Sequence, residues 1–333
     1  MSSIDSSAQP PLTEPFEIGG VRISNRVMLA PLAGIGNWFV RLQARRHGAG
    51  LAVSEMVSSF GLHHGNDRTL RELMRIHPDE HPVSVQLFGH DADVMRSAAE
   101  IAADAGADLI DINMGCPVKK VFKTGAGAAL IDDPELAVAL VRGAREGSGL
   151  PVTVKVRSGV RAGERSGFGL ALRLVEDGGA AGVAFHPRPA TQGHKGNPDY
   201  ALAHELADRL DVPMIISGGL STAEAARRAY AESGAAAAMI ARGSFGFPWV
   251  FEELTGQRTE PPGPEEVASE LLWVIDRAEE HFGAERAARY LRKFYPWYLE
   301  HMNTDRDAAV ELQQSADLDR ARELVAVGAP ACL

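Results

Sequence analysis

From Arg26 onward, short apolar runs rich in β-branched residues alternate with stretches in which apolar residues recur every three to four positions. Val27 to Leu32 predicts a first strand, Leu51 to Met56 a second, Val83 to Phe88 a third and Asp108 to Asn113 a fourth. Val152 to Val156, Gly182 to His186, Pro213 to Ser217 and Ala236 to Ala241 predict four more. Helices fill the gaps. Asn37 is placed to cap one through Trp38, Val40, Leu42 and Ala44, and Asp91 to cap another that runs to Gly106. A shorter one is expected around Asp67 to Arg75. Asp133-Pro134 opens a helix with Gly147 past its end, and Ser221 with Glu224 has the spacing of a capping box.

Strands that are apolar on both faces and separated by helices belong in a parallel sheet covered on both sides. Eight of them imply a closed α/β fold, the (β/α)8 TIM barrel. A doubly wound open sheet is the alternative, but the first turn, Pro31-Leu32-Ala33-Gly34-Ile35-Gly36, lacks G-x-G-x-x-G spacing. The composition changes at Glu260-Pro261-Pro262-Gly263-Pro264, which reads as a linker. Residues 16–259 are therefore expected to form the barrel and residues 260–333 a small C-terminal helical domain of three or four helices and a tail. Residues 1–15, polar and rich in Ser and Pro, are expected to be disordered.

Two cysteines in 333 residues, Cys116 and Cys332, make no disulfide framework and fit a reducing cytoplasm. No apolar run approaches a membrane span, the N-terminus has no signal-peptide pattern, and no metal is expected. The formal net charge of −10 argues against nucleic-acid binding through the whole-protein field, but not against a local basic face.

Function in such barrels collects at the C-terminal ends of the strands. Read in order, those ends carry Pro31-Leu32-Ala33, Glu55, Gln86, Asn113 with Cys116, Lys155 with Arg157, His186 with Arg188, Ser217-Gly218-Gly219 and Ala241-Arg242-Gly243. The last two loops are short and glycine-rich, suited to an anionic ligand held by backbone N–H groups and the next helix N-terminus. Lys155 ends an apolar strand, where an ammonium group is costly unless it meets an anion. An electron-rich ring, a Schiff base and a salt bridge all satisfy that need. Gln86, donor and acceptor together, suits the edge of a pyrimidine-like ring or a satisfied core. Cys116 follows a buried strand, beneath Lys119, Lys120 and Lys123 and beside the pliable Thr124-Gly125-Ala126-Gly127, a placement for thiol chemistry.

With these residues the chain resembles the bacterial tRNA-dihydrouridine synthase family, in the branch with an NMGCPxxK loop. The resemblance rests on Asp111-Ile112-Asn113-Met114-Gly115-Cys116-Pro117 followed by Lys123-Thr124-Gly125-Ala126-Gly127. It is supported by Ala30 to Gly34, Ser54-Glu55-Met56, Val154 to Gly159, Ala241-Arg242-Gly243 and, in the tail, Leu291-Arg292-Lys293 with Trp297-Tyr298. It implies an FMN enzyme that uses NADPH to reduce a uridine in tRNA to dihydrouridine. It further implies that Pro31, Leu32 and Ala33 meet the flavin through backbone atoms, and Gln86 and Lys155 its ring edge. Ser217, Gly218, Gly219, Ala241, Arg242 and Gly243 would hold its ribityl phosphate. His186 would lie beside the flavin and, with Arg188 and Asn113, line the uracil site, and Cys116 would be the general acid. Proton delivery to C5 opposite the hydride needs an acid whose pKa lies above neutrality, and a thiol, ordinarily near about 8.5, meets that better than a carboxylic acid.

The chain departs from the family pattern at Ser217-Gly218-Gly219, where Asn-Gly-Asp is usual, and at His186-Pro187-Arg188-Pro189, where His-Gly-Arg-Thr is usual. Phe294 replaces a usual His, and Asn37 a usual Asp. For RNA, Lys119, Lys120, Lys123, Arg157, Arg161, Arg165, Arg188 and Lys195 gather in the loops above the strands, and Arg286, Arg289, Arg292 and Lys293 recur at helical spacing. tRNA and NADPH are the expected partners, and a monomer is expected. A flavoprotein acting on free dihydropyrimidines or dihydroorotate, and a non-catalytic tRNA-binding flavoprotein, are the competing functions. The helical tail argues against the first and the retained Cys116 against the second.

Overall fold

The computed structural model describes residues 9–302 and 304–327; Met1 to Ala8 of the expected tail, Asn303 and Cys332 lie outside them. The chain forms two compact units, Met1–Ala241 and Arg242–Leu333. The expected linker at Glu260 to Pro264 falls inside the second unit, between the helices Val250–Leu254 and Pro264–Phe282.

The first unit begins with an antiparallel hairpin, β1 (Phe16–Ile18) and β2 (Val21–Ile23), that the strand–helix alternation did not announce. The parallel strands follow: β3 (Val27–Leu29), β4 (Leu51–Val53), β5 (Val57–Ser58), β6 (Val83–Phe88), β7 (Leu109–Met114), β8 (Val152–Arg157), β9 (Gly182–His186), β10 (Met214–Ser217) and β11 (Ala237–Ile240). From β6 to β11 each strand pairs with the next, β11 returns to β3, β3 pairs with β4 and β4 with β6, so the sheet closes into an eight-stranded barrel. β5 is a short continuation beyond β4 that pairs with the end of β6. Phe16, Ile18 and Ile23 of the hairpin pack with Met28, Leu51, Leu109, Ile215 and Met239 inside the barrel. Gly19 lies against Pro151 and Ala181, just before β8 and β9. The N-terminal end is thus stopped with apolar side chains, and the polar interior positions are left to the C-terminal end.

Some expected details moved. The Asp133-Pro134 helix runs from Pro134 to Ser148, and Gly149, at φ 65°, is its left-handed cap, not Gly147. A Cβ at Gly147 would stand 2.0 Å from the Arg96 carbonyl oxygen, so that glycine lets two helices approach. The expected Ser221 cap falls one residue early: Ser221 N–H donates to Gly219 O, and Thr222 accepts from Ala225 N–H instead. Asp91 caps as expected, whereas Asn37 occupies its N-cap without a side-chain cap bond. Around Asp67 to Arg75 the expected short helix is present but brief: Asp67 and Arg68 open it, and it widens to π geometry over Thr69–Leu73, where it buries no side chain. Residues 9–15 of the expected tail are tied down: Gln9 donates to the Tyr230 and Ala235 carbonyls, and Leu12 is buried.

A fully buried ion pair anchors the first loop above the barrel. Arg41 Nε donates to Glu80 at 2.7 Å, and the same guanidinium donates to the carbonyls of Gly36 and Arg75. Removing one member leaves the other buried and uncompensated, a loss of about 3–5 kcal/mol. Glu80→Ala is accordingly expected to lower the thermal midpoint by on the order of 10 °C in a calorimetric scan, and a change of under about 2 °C would contradict this.

In the second unit Pro264–Phe282 is followed by Ala284–Leu291, Tyr295–Leu299, Arg306–Gln314 and Leu318–Val327, one helix more than the upper expectation. Arg322 on the last helix donates to Asp276 at 2.9 Å and also pairs with Glu279, both on the first. Among the described residues no helix is long and apolar enough to cross a membrane.

Candidate active site

The barrel register sets three polar side chains abreast: Gln86 on β6 faces Asp111 on β7, which faces Thr153 on β8. One row nearer the C-terminal end, Asn113 stands beside Lys155. Side chains alternate along a strand, so positions two apart share a face, and Thr153 and Lys155 both turn inward. Asp111 accepts from Gln86 Nε2 and Thr153 Oγ1, each at 2.6 Å. Gln86 Oε1 accepts from Asn113 Nδ2 at 2.9 Å. Asn113 Oδ1 accepts from the backbone N–H groups of Gly115 and Cys116, at 3.2 and 3.0 Å.

Cys116 is half-buried at the head of the loop this chain supports. Its carbonyl accepts from Ala128 N–H at 3.1 Å. Gly127, at φ 63°, passes so close that a Cβ would stand 2.8 Å from Cys116 O and 3.3 Å from Cys116 Cβ, so a larger residue would push the loop away. On the other side Arg157 donates to Gly115 O and Gly193 O, both at 2.9 Å. Arg157 therefore clamps the cysteine loop to the loop after β9. Burial and the adjacent Arg188 charge bring its guanidinium down to about 10.

Lys155 is the least compensated group of the site. Among the described residues its Nζ has one hydrogen-bond partner, the Ser217 hydroxyl at 3.4 Å. Burial, reinforced by Arg157, lowers its pKa to about 8, against the pull of Asp111. Burial also raises the Asp111 carboxyl, opposed by its bonds to Gln86 and Thr153 and by the Lys155 charge. His186 is driven far below its ordinary range by burial and then by Lys155, Arg157 and Arg188, and so is a neutral imidazole. Its Nε2 lies 3.2 Å from Arg188 Nη1, which can only donate, so the ring proton sits on Nδ1. Gly218, at φ 94°, lies against that imidazole: a Cβ there would stand 2.3 Å from the ring. The Gly218 carbonyl accepts from the Tyr200 hydroxyl at 2.9 Å, which steadies the turn. Gly219, at φ 89°, continues it.

Gln86, Asn113, Cys116, Lys155, His186, Ser217 and Gly218 thus meet at the C-terminal end of one barrel, as the strand-end list anticipated. Pro31 and Ala33 follow β3 above the barrel with Leu32 buried between them, and Gly34 N–H donates to Glu55 Oε2 at 2.7 Å. Arg188 is buried and donates to Gly196 O at 2.9 Å, so part of the group expected to face uracil is engaged within the protein. Asn113 likewise spends most of its hydrogen-bonding capacity on Gln86 and its own loop. The boundary between the two units falls within the expected phosphate segment: half-buried Ala241 ends the barrel chain, and Arg242–Ser244, a 3-10 turn with Gly243 at its centre, opens the second unit. Lys119, Lys120 and Lys123 are exposed on and after the short helix Lys119–Phe122. Arg289 and Arg292 are exposed on the second unit, the former paired with Glu285 at 2.7 Å and the latter donating to Gln314 O at 3.3 Å. The sequence pattern alone does not assign a role to Asp111 or Thr153, nor the clamp to Arg157. The available signal was an aspartate inside an apolar strand and the period-two row Thr153, Lys155, Arg157. Among the described residues no cluster of metal-ligating side chains occurs.

A flavin fits these residues. A buried ammonium with one weak neutral partner calls for an electron-rich or anionic neighbour, and two successive left-handed glycines leave backbone uncovered beside it. Solved structures with the same fold include an old yellow enzyme homologue from Zymomonas mobilis, at a TM-score of 0.56 and 15% identity over 78% of this chain and 96% of that one. In sequence, 289 residues are 36% identical to tRNA-dihydrouridine synthase B of Xanthomonas axonopodis pv. citri, covering 85% of this chain and 86% of the relative. A probable tRNA-dihydrouridine synthase of Synechocystis is 35% identical over 310 residues, 89% of this chain and 84% of its own. The dihydrouridine synthase family model matches residues 28–330, from the first barrel strand through the last helix. With the Cys116 loop, Lys155 and the glycine turn standing together in the barrel mouth, the chain belongs to the dihydrouridine synthase family.

Proposed function

We propose that this protein reduces the C5–C6 bond of a uridine in tRNA to 5,6-dihydrouridine, using FMN and NADPH, as a monomer in the cytoplasm. The observation that carries the reading is a half-buried cysteine, its backbone N–H held by a directed hydrogen-bond chain, in the same barrel mouth as a buried lysine with one weak neutral hydrogen-bond partner. FMN held at this site would supply the hydride for C6, NADPH being its source. Lys155 would hold positive charge beside the ring edge, and charge fixed in advance in a dry site costs no reorganisation. Ser217 orients that ammonium group. Gly218 and Gly219 would let backbone approach the ribityl phosphate, and the segment Pro31 to Ala33 would meet the ring with main-chain atoms. Cys116 gives its thiol proton to C5 from the face opposite the hydride. Neutral His186 and the arginines beside it border the uracil without adding a second acid of similar strength.

The target base must leave its stack to reach this depth, so the RNA presents it from a loop. The exposed lysines 119, 120 and 123 supply a charged path for phosphates next to the cysteine loop. On the second unit, the exposed Arg286, Arg289, Arg292 and Lys293 supply another. The double variant Arg289→Glu/Arg292→Glu is expected to weaken tRNA binding and reduce its log–log salt slope by about 1 per lost phosphate contact. NADPH consumption without tRNA should stay unchanged. Filter binding across a salt series checks this, and an unchanged slope would remove these arginines from the RNA surface. Nucleoside mass spectrometry of tRNA from a strain lacking this gene tests the function itself. The expected result is loss of dihydrouridine at one or more positions, restored by the wild-type gene and not by Cys116→Ala.

A further inference from the structure

Asp111 is the buried group of the site with no part in the chemistry above. It is 2% exposed, in the middle of β7. Its two oxygens accept from Thr153 and Gln86, and from Gln86 the hydrogen bonds continue through Asn113 to the Gly115 and Cys116 amides. A primary amide has a donor at one end and an acceptor at the other, and turning it over changes no covalent geometry. A carboxylate accepts at both oxygens. Beside Asp111, the Gln86 NH2 group therefore faces the carboxylate and its oxygen faces outward. That oxygen takes the Asn113 NH2 group, which leaves the Asn113 oxygen for the two loop N–H groups. Reversing either amide sets N–H against N–H or oxygen against oxygen in a buried site, where each unsatisfied group costs about 1–3 kcal/mol.

We propose that Asp111 is a positioning residue for Cys116: its carboxylate sets the direction of the Gln86–Asn113 amide chain and thereby holds the cysteine loop where the thiol can protonate C5. It acts through two intervening side chains, Gln86 and Asn113, and touches no substrate. The proposal rests on Cys116 being the general acid.

The test uses FMN-loaded protein and compares Asp111→Ala, Asp111→Leu and Asp111→Asn with Cys116→Ala. Leucine keeps the volume, so that a folded variant without a polar group is available if alanine leaves an intolerable cavity. Asparagine preserves the direction, because its oxygen still accepts from Gln86 while its NH2 group donates to the Thr153 hydroxyl. Two rates are read in each variant: reoxidation by tRNA after reduction with NADPH, and alkylation of Cys116 by iodoacetamide, resolved from Cys332 by peptide mass spectrometry. The Ala and Leu variants are expected to reoxidise about 10–100-fold more slowly, the scale for an ångström-sized misplacement of a reacting group. Their alkylation rates should also shift, while FMN content holds, reduction by NADPH holds when read well below the Lys155 pKa, which loss of the Asp111 charge lowers, and Asp111→Asn stays within about threefold of wild type in both rates. A purely structural aspartate would lower FMN content and the two half-reactions together. Wild-type reoxidation and alkylation in the Ala and Leu variants would overturn the proposal, as would an Asn variant as slow as they are. If Cys116→Ala itself reoxidises normally, the reading of Cys116 fails. The alkylation rates then decide separately whether Asp111 positions the thiol: shifted rates support it and unchanged rates refute it.

Discussion

Replacing Cys116 by alanine is expected to slow the oxidation of the NADPH-reduced protein by tRNA about 10²–10⁴-fold, the usual loss for a positioned general acid. FMN content, hydride acceptance from NADPH and tRNA affinity should change little, because Cys116 heads a loop and does not pack the barrel interior. Serine should restore little, since a hydroxyl is a far weaker acid than a thiol. A cysteine that merely filled space would behave differently. Its removal would lower stability modestly and leave the tRNA step alone. Rapid mixing separates the half-reactions, and an alanine variant that reoxidises at the wild-type rate would remove Cys116 from the mechanism.

The second large effect is expected at Lys155. Removing one preorganised electrostatic group from a site where charge develops typically lowers a rate about 10²–10³-fold. Lys155→Met should slow reduction by NADPH on that scale and weaken FMN retention, while tRNA binding persists. The pH dependence has a definite sign. With the ammonium brought down to about 8, the side chain is cationic below that pH and loses its charge above it. Flavin reduction in the wild type should therefore fall as pH rises past the Lys155 pKa, which an anionic neighbour moves upward from 8. The methionine variant should lack this alkaline limb. Stopped-flow traces across a pH series measure it, and an identical limb in both proteins would place the titration elsewhere.

The barrel was legible because parallel strands covered on both faces read as continuous apolar runs, and Val83 to Phe88 and Gly182 to His186 came out with the boundaries the structure has. The β1–β2 hairpin was not, because three-residue strands leave too little alternation to separate from loop. Helix ends shifted where tertiary contact outweighed local spacing: Gly147 serves the packing against Arg96, and the cap passed to Gly149. Most of the candidate site was legible for a different reason. A barrel delivers its strand ends to one face, so Gln86, Asn113, Lys155, His186 and Ser217 were brought together by topology once the strands were known. What one dimension does not carry is register. That Asp111 lies beside both Gln86 and Thr153, and that Arg157 folds back onto Gly115 and Gly193, follows from which residues stand abreast on neighbouring strands.

Hydrogenation of uridine in tRNA by this barrel mouth is measured most directly with the purified FMN-loaded protein, NADPH and unmodified tRNA transcripts, followed by digestion to nucleosides and mass spectrometry. Dihydrouridine, two hydrogens heavier than uridine, should accumulate with NADPH consumption in equal amount, dependent on tRNA and abolished by Cys116→Ala. NADPH oxidation that tRNA does not stimulate, with no dihydrouridine formed from any transcript of the host's tRNA set, would contradict it.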